Sequence, residues 1–283
     1  MSKIHLTIGL FLLLCSGVFA SDISVQLSTS NKGFSLFRSG TKILELEKIL
    51  FDFKEADSVK ILANTKKQIL LQTYYPWINP RGTEETVQKT DTIQIDIAPD
   101  FIHVTATPAW ARQVQLVLKD LGGAYYGLLE TLYPDNKKSP NLRGSTITVE
   151  IQAEAYRYHE NYASVHSAFF FNSLGYASFF DSFNAGQYRL AQNGKTILTH
   201  YTGALSWYIF TGNYKTIYKD YYAVIGGTKY VPAWACGPII WRDENTGSQQ
   251  ILDDVKHFTD LKIPVTALFV DRPYSNGKNG WSK

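Results

Sequence analysis

Two pairs of adjacent carboxylates, Asp243-Glu244 and Asp253-Asp254, are the first residues in this sequence whose types suit acid–base chemistry. Such work takes one protonated and one ionised carboxyl group within reach of the same bond. Sequence neighbours do not supply that. Asp253 and Asp254 fall in a helical pattern, where adjacent side chains point in different directions, and Asp243-Glu244 falls in a loop. Both pairs read as solvated. His103, His159, His166, His200 and His257 lack the spacing of metal ligands and read as structural. No metal and no organic cofactor are therefore expected. Asp271 closes an apolar run and is followed by Arg272-Pro273. An arginine there serves either as a bidentate partner for an anion or as half of a structural ion pair.

The elements that position these residues begin after an export signal. Met1 to His5 carries one cation, Lys3, ahead of the apolar stretch Leu6 to Leu14 and the small-residue end Val18-Phe19-Ala20. That order predicts cleavage after Ala20 and a secreted or periplasmic protein. The apolar run is shorter than the roughly 20 residues a membrane span takes, so no span is expected. Leu14 before Cys15 is bulkier than a lipoprotein site prefers. With Cys15 removed, Cys236 stands alone and no intramolecular disulfide is expected. The formal charge of +3 falls by one with Lys3, and no Lys/Arg run forms a basic stripe, which argues against nucleic acid. At 45% apolar residues the chain can bury a large core.

From Ile23 to about Phe210 apolar residues alternate with polar ones: Ile23, Val25 and Leu27, then Ile93, Ile95 and Ile97, then Val114, Leu116 and Leu118. These are half-buried strands. Ser39-Gly40, Asn79-Pro80-Arg81-Gly82, Pro99-Asp100 and Asn193-Gly194 separate them with turn chemistry, which predicts an antiparallel β-sandwich. Near Tyr214 the period changes. Ile217, Tyr218, Tyr221, Tyr222 and Ile225 sit at helical spacing before Gly226-Gly227. Beyond Pro232, Ala235 to Trp241 reads as a strand buried on both faces, Gln249 to Leu261 as an amphipathic helix, and Pro264 to Val270 as a second buried strand. Strand, helix, strand predicts a βαβ unit with parallel strands. Most of the aromatic residues, 14% of the chain, read as core or sheet surface, and the rest as stacking platforms for sugar rings.

Three stretches resemble glycoside hydrolase family 31: Tyr126-Gly127-Leu128-Leu129-Glu130, Phe179-Phe180-Asp181-Ser182-Phe183, and the run from Gly212 through Pro232-Ala233-Trp234-Ala235 to Asp271. The resemblance implies a galactose-mutarotase-like β-sandwich followed by the first βαβ portion of a (β/α)₈ barrel. It also implies a retaining hydrolase acting on an α-linked glycoside or oligosaccharide. Chemistry in such barrels sits at the carboxyl ends of strands, where Trp241, Arg242 and Asp271 fall. By the resemblance, Asp271 binds hydroxyls of the sugar, an acceptor-only task, with Trp241 and Arg242 beside it. Without the resemblance, Asp271 is a strand-end aspartate capping a loop. Arg272 departs from the family pattern, which usually has isoleucine and a second aspartate there. Leu129 stands where glycine is usual. Glu154 falls near the point where the family has an aspartate reaching over the barrel mouth, yet Val149 to Ala155 also reads as a strand with an exposed glutamate.

The resemblance places the nucleophile and the acid/base on the fourth and sixth barrel strands, beyond residue 283, so no catalytic residue is assigned and the chain alone is expected to be inactive. A barrel takes roughly 250 residues, and 51 follow Pro232. Either this is a fragment of a longer gene product or a separate chain completes the barrel. The expected organisation is a leader at 1–20, a sandwich at 21–212, a linking helix and loop at 213–231, and an incomplete barrel at 232–283. The alternative from another class is a non-catalytic secreted β-sandwich that binds carbohydrate or a partner protein.

Overall fold

The computed structural model describes residues 23–75, 89–129, 140–150, 166–243 and 245–271. The expected leader, the 79–82 turn, Glu130, Glu154, His159, Glu244 and Arg272 lie outside the described residues.

Alternation becomes strands along most of the chain. In order these are β1 (Ile23–Leu27), β2 (Phe34–Arg38), β3 (Thr41–Phe51), β4 (Lys54–Glu55), β5 (Ser58–Asn64), β6 (Gln68–Tyr75), β7 (Lys89–Ile97) and β8 (Phe101–Ala106). There follow β9 (Val114–Lys119), β10 (Tyr125–Leu129), β11 (Thr146–Val149), β12 (His166–Asn172), β13 (Tyr176–Phe180), β14 (Gly186–Gln192), β15 (Lys195–His200) and β16 (Leu205–Thr211). They form two sheets among the described residues. One runs β1-β2-β3-β9-β15-β14-β11, with β4 on the end of β3; the other runs β10-β12-β13-β16-β8-β7-β6-β5. Every pairing in both is antiparallel. The β-sandwich expected from the alternation is therefore present.

Local chemistry sets the register. Asn193-Gly194, both at positive φ, closes the β14–β15 hairpin in two residues, and Ser39-Gly40 does the same between β2 and β3. The two inner faces share one core. Phe34 of the first sheet meets Trp207 of the second with ring centroids 6.4 Å apart, and Phe180 stacks on His200 at 3.8 Å. Strand β9 differs from its half-buried expectation, because Gln115 and Val117 on its other face are buried as well. It lies between β3 and β15, and Gln115 Nε2 donates to Thr199 Oγ1 at 3.1 Å, which satisfies the buried amide.

The outer face of the second sheet is also apolar, and helix α1 (Tyr214–Ile225) covers part of it. Asn213 starts the helix by accepting the Thr216 amide on Oδ1 at 3.0 Å. Gly226 and Gly227, both at positive φ, follow its last residue. Ile217 is the buried anchor, packed among Phe169, Phe171, Ala177 and Phe210. Its burial contributes roughly 2 kcal/mol. By internal contacts the chain divides between Ile225 and Gly226, so α1 belongs with the sandwich.

In the second unit a 3₁₀ turn at Ala233–Cys236 precedes β17 (Ile239–Arg242), helix α2 (Ser248–Asp260) and β18 (Ala267–Val270). The two strands pair in parallel, Ile239 with Ala267 and Arg242 with Val270, as the βαβ reading expects. Two expectations are corrected here. Ala235 and Cys236 belong to the turn, because the Ala235 amide donates back to the Pro232 carbonyl at 3.0 Å. Nor are the strands buried on both faces: Ile239 is 50%, Trp241 67% and Phe269 56% exposed. Among the described residues a single helix, α2, meets one face of the two-stranded sheet, and the other face carries these exposed side chains.

Candidate functional site

Parallel pairing brings the carboxyl ends of β17 and β18 side by side, and the pleat then sorts their side chains. The Asp271 amide donates to the Arg242 carbonyl at 3.0 Å, which carries the ladder one residue past β18. Side chains alternate faces along a strand. Ile239, Trp241, Phe269 and Asp271 therefore share one face, and Ile240, Arg242, Leu268 and Val270 share the other. Trp241 and Phe269 meet edge to face with centroids 6.4 Å apart. Their shared face ends in an exposed indole and a half-buried carboxylate on adjacent strands, a stacking surface beside a hydroxyl acceptor.

Arg242 is not brought to that face. Its Nε donates to Asp254 Oδ2 on helix α2 at 2.9 Å, with both side chains about 30% exposed. The pair fastens the helix to the strand. Asp254 was expected to be solvated and is instead this partner, while its neighbour Asp253 turns away to accept from Gln249 Nε2 at 3.0 Å. Their divergence on the helix follows the expected geometry. A strand-end arginine and a helical aspartate twelve residues on is the signal that would have pointed to the pair. Of the other site residues named from the sequence, Glu154 and Arg272 lie outside the described residues.

Two of the histidines, His200 and His103, are engaged elsewhere. His200 is fully buried, with Nδ1 donating to the Asn184 carbonyl at 3.3 Å and Nε2 accepting from the Tyr188 hydroxyl at 2.7 Å. Burial pushes its pKa down to about 4. His103 lies parallel to Tyr208 at 3.8 Å and bonds Ser206 Oγ at 2.9 Å, and burial lowers its pKa also. Among the described residues no three His, Cys, Asp or Glu side chains group as a metal site, and no helix is long and apolar enough to cross a membrane. Cys236 is exposed and in no disulfide.

The Tyr126–Leu129 stretch has a physical reason for its glycine. Gly127 sits at φ +116° at a bulge between β10 and β12, and a Cβ there would lie 2.8 Å from the Phe169 carbonyl oxygen. Leu128 follows at φ +64° with its side chain buried.

No family model matches the chain. An α-xylosidase of Saccharolobus solfataricus is 26% identical over 115 residues, which span 40% of this chain and 16% of that protein. Among solved structures, a GH31 family sulfoquinovosidase from E. rectale, in complex with an aza-sugar inhibitor, superposes with a TM-score of 0.54 at 14% identity over 87% of this chain. A GH31 dextranase of Flavobacterium johnsoniae complexed with isomaltotriose superposes with a TM-score of 0.51 at 16% identity over 90%. The chain spans 41% and 34% of those two structures, so it matches less than half of either.

Proposed function

We propose that the chain, similar in part to an α-xylosidase and in fold to GH31 structures, is related to glycoside hydrolase family 31 and forms the amino-terminal part of an exported, retaining α-glycosidase. Residues 1–20 act as a cleaved leader and direct the protein to the periplasm or outside the cell. Residues 21–212 form the strands of the sandwich, 213–231 carry α1, which packs on it, and the loop onward, and 232–283 open a (β/α)₈ barrel. The observation that carries this reading is the parallel β17–α2–β18 unit with Trp241 and Asp271 on one face at its carboxyl end. In such barrels that end holds the substrate. Asp271 accepts hydroxyls of the sugar and Trp241 packs against its ring. Arg242 acts one step back, fixing α2 against β17 through Asp254.

Hydrolysis with retention takes two carboxyl groups about 5 to 5.5 Å apart, one as nucleophile and one as acid/base. Asp243 and Asp271 are assigned neither role. The two catalytic groups come from later barrel strands, in further sequence or in a partner chain, and that addition covers the exposed face of β17 and β18. The purified chain should therefore leave 4-nitrophenyl α-glucoside and α-xyloside intact. Sequencing the DNA beyond codon 283 should show more strand and helix alternation with strand-end aspartates. Turnover by the chain alone, or unrelated sequence after a stop with no complementing chain nearby, contradicts the proposal.

A further inference from the structure

A concave site lies wholly within the sandwich unit, on the outer side of the second sheet beside the end of α1. It is a cleft of about 450 Å³, within the size range of small-molecule pockets. Phe179 of β13 and Tyr221 of α1 line it, meeting edge to face at 5.1 Å. Asp181, Ser182 and Asn184 line it from the loop after β13, and Glu150 from the end of β11.

That loop is held in place before any ligand arrives. The Asp181 amide donates to the Ser206 carbonyl at 2.8 Å, and the Ser182 amide to the Phe180 carbonyl at 2.9 Å. The Asn184 amide donates to Ser182 Oγ at 3.0 Å, and the Asn184 carbonyl accepts from buried His200. Ser182 Oγ is thereby an acceptor whose own proton remains to be given to another partner. Phe183, at the centre of this fixed loop, is 94% exposed. Burying a phenylalanine contributes roughly 1.5 to 3 kcal/mol, and the fold forgoes it here at a residue that lines the cleft.

We infer that this cleft is an accessory saccharide-binding site, separate from the strand-end site of the second unit. A pyranose presents an apolar C–H face, which matches Phe179 and Phe183. It also presents a rim of hydroxyls, each both donor and acceptor, which match the carboxylates of Asp181 and Glu150 together with the Ser182 hydroxyl and the side-chain amide of Asn184. A cationic ligand is drawn to the carboxylates and the rings but leaves the hydroxyl and side-chain amide protons unused. The choice of a sugar as occupant rests on the glycosidase reading; the cleft and its loop do not.

The test is an NMR titration of the ¹⁵N-labelled full chain with methyl α-D-glucopyranoside, reading the Phe183 and Asn184 backbone amides, with tetramethylammonium chloride as a parallel probe. Saturable shifts with Kd on the order of 1 mM are expected. Both Phe183→Ser and Asp181→Asn should weaken binding at least fivefold, and Asp271→Ala should leave it unchanged. Phe183→Ser removes a side chain already in water, so its fold is retained. Absence of saturation, a response to tetramethylammonium as strong as to the sugar, or shifts indifferent to both cleft variants overturns the inference. Failure of the strand-end site shows instead as a Trp241 indole that does not shift with sugar, or shifts equally in Asp271→Ala, a readout independent of Phe183 and Asn184.

Discussion

The Tyr188 hydroxyl donates to Nε2 of His200 across 2.7 Å inside the sandwich, so the imidazole must stay neutral to accept it. Burial is the main cause of its low pKa of about 4, opposed in part by the bond to the Asn184 carbonyl. The unfolded chain takes up this proton near pH 6.5 and the folded chain only near 4. Between those values the unfolded state binds more protons, so stability is full above about 6.5 and falls as pH drops towards 4, by about 3 kcal/mol in all. Urea unfolding measured across that window checks it. His200→Gln keeps a hydrogen-bonding group while removing the titration, and should flatten the slope; an unchanged slope assigns it to other groups.

Gly127 is fixed by geometry. At φ +116° and with the Phe169 carbonyl oxygen 2.8 Å from where a Cβ would stand, alanine is strained and crowded. Gly127→Ala should cost about 2 kcal/mol or more, lowering the melting temperature by roughly 5 °C for a unit of this size. A melting temperature equal to wild type contradicts the close approach.

Ile217 decides whether α1 stays on the sheet. Ile217→Ala should cost about 3 kcal/mol and raise amide exchange through 214–225 more than in β9 or β16. Equal exchange in helix and sheet contradicts the anchor.

The Arg242–Asp254 pair is partly exposed, so its energy is small while its effect on position is not. Asp254→Asn should destabilise by less than about 1 kcal/mol, read by thermal melting. A loss of several kcal/mol means that the pair is desolvated.

Much of the fold was legible because its signals are local. Alternation in Ile93-x-Ile95 and turn chemistry at Asn193-Gly194 act over a few residues, and each led to the observed strand or hairpin. The parallel unit was legible from the order of its segments. What was missed has two sources, a competing local turn and a side-chain partner on another element. Ala235-Trp241 reads as a strand by composition, but the Pro232 carbonyl captures its start in a 3₁₀ turn. Asp254 reads as solvated because nothing local announces that β17 delivers Arg242 to it. The strand-end face carrying Trp241 and Asp271 followed from periodicity once the strands were known. The sandwich cleft draws on β11, the β13 loop and α1, and only the Phe179–Phe183 stretch stood out beforehand.

The most direct measurement is an NMR titration of the full chain with methyl α-D-xylopyranoside and methyl α-D-glucopyranoside, following the Trp241 indole Nε1–H. Binding at the carboxyl end of β17 and β18 predicts a saturable shift of that resonance with either sugar, lost in Asp271→Ala and kept in Asp181→Asn. A Trp241 indole that never moves, or moves equally in Asp271→Ala, contradicts a sugar site at the strand ends.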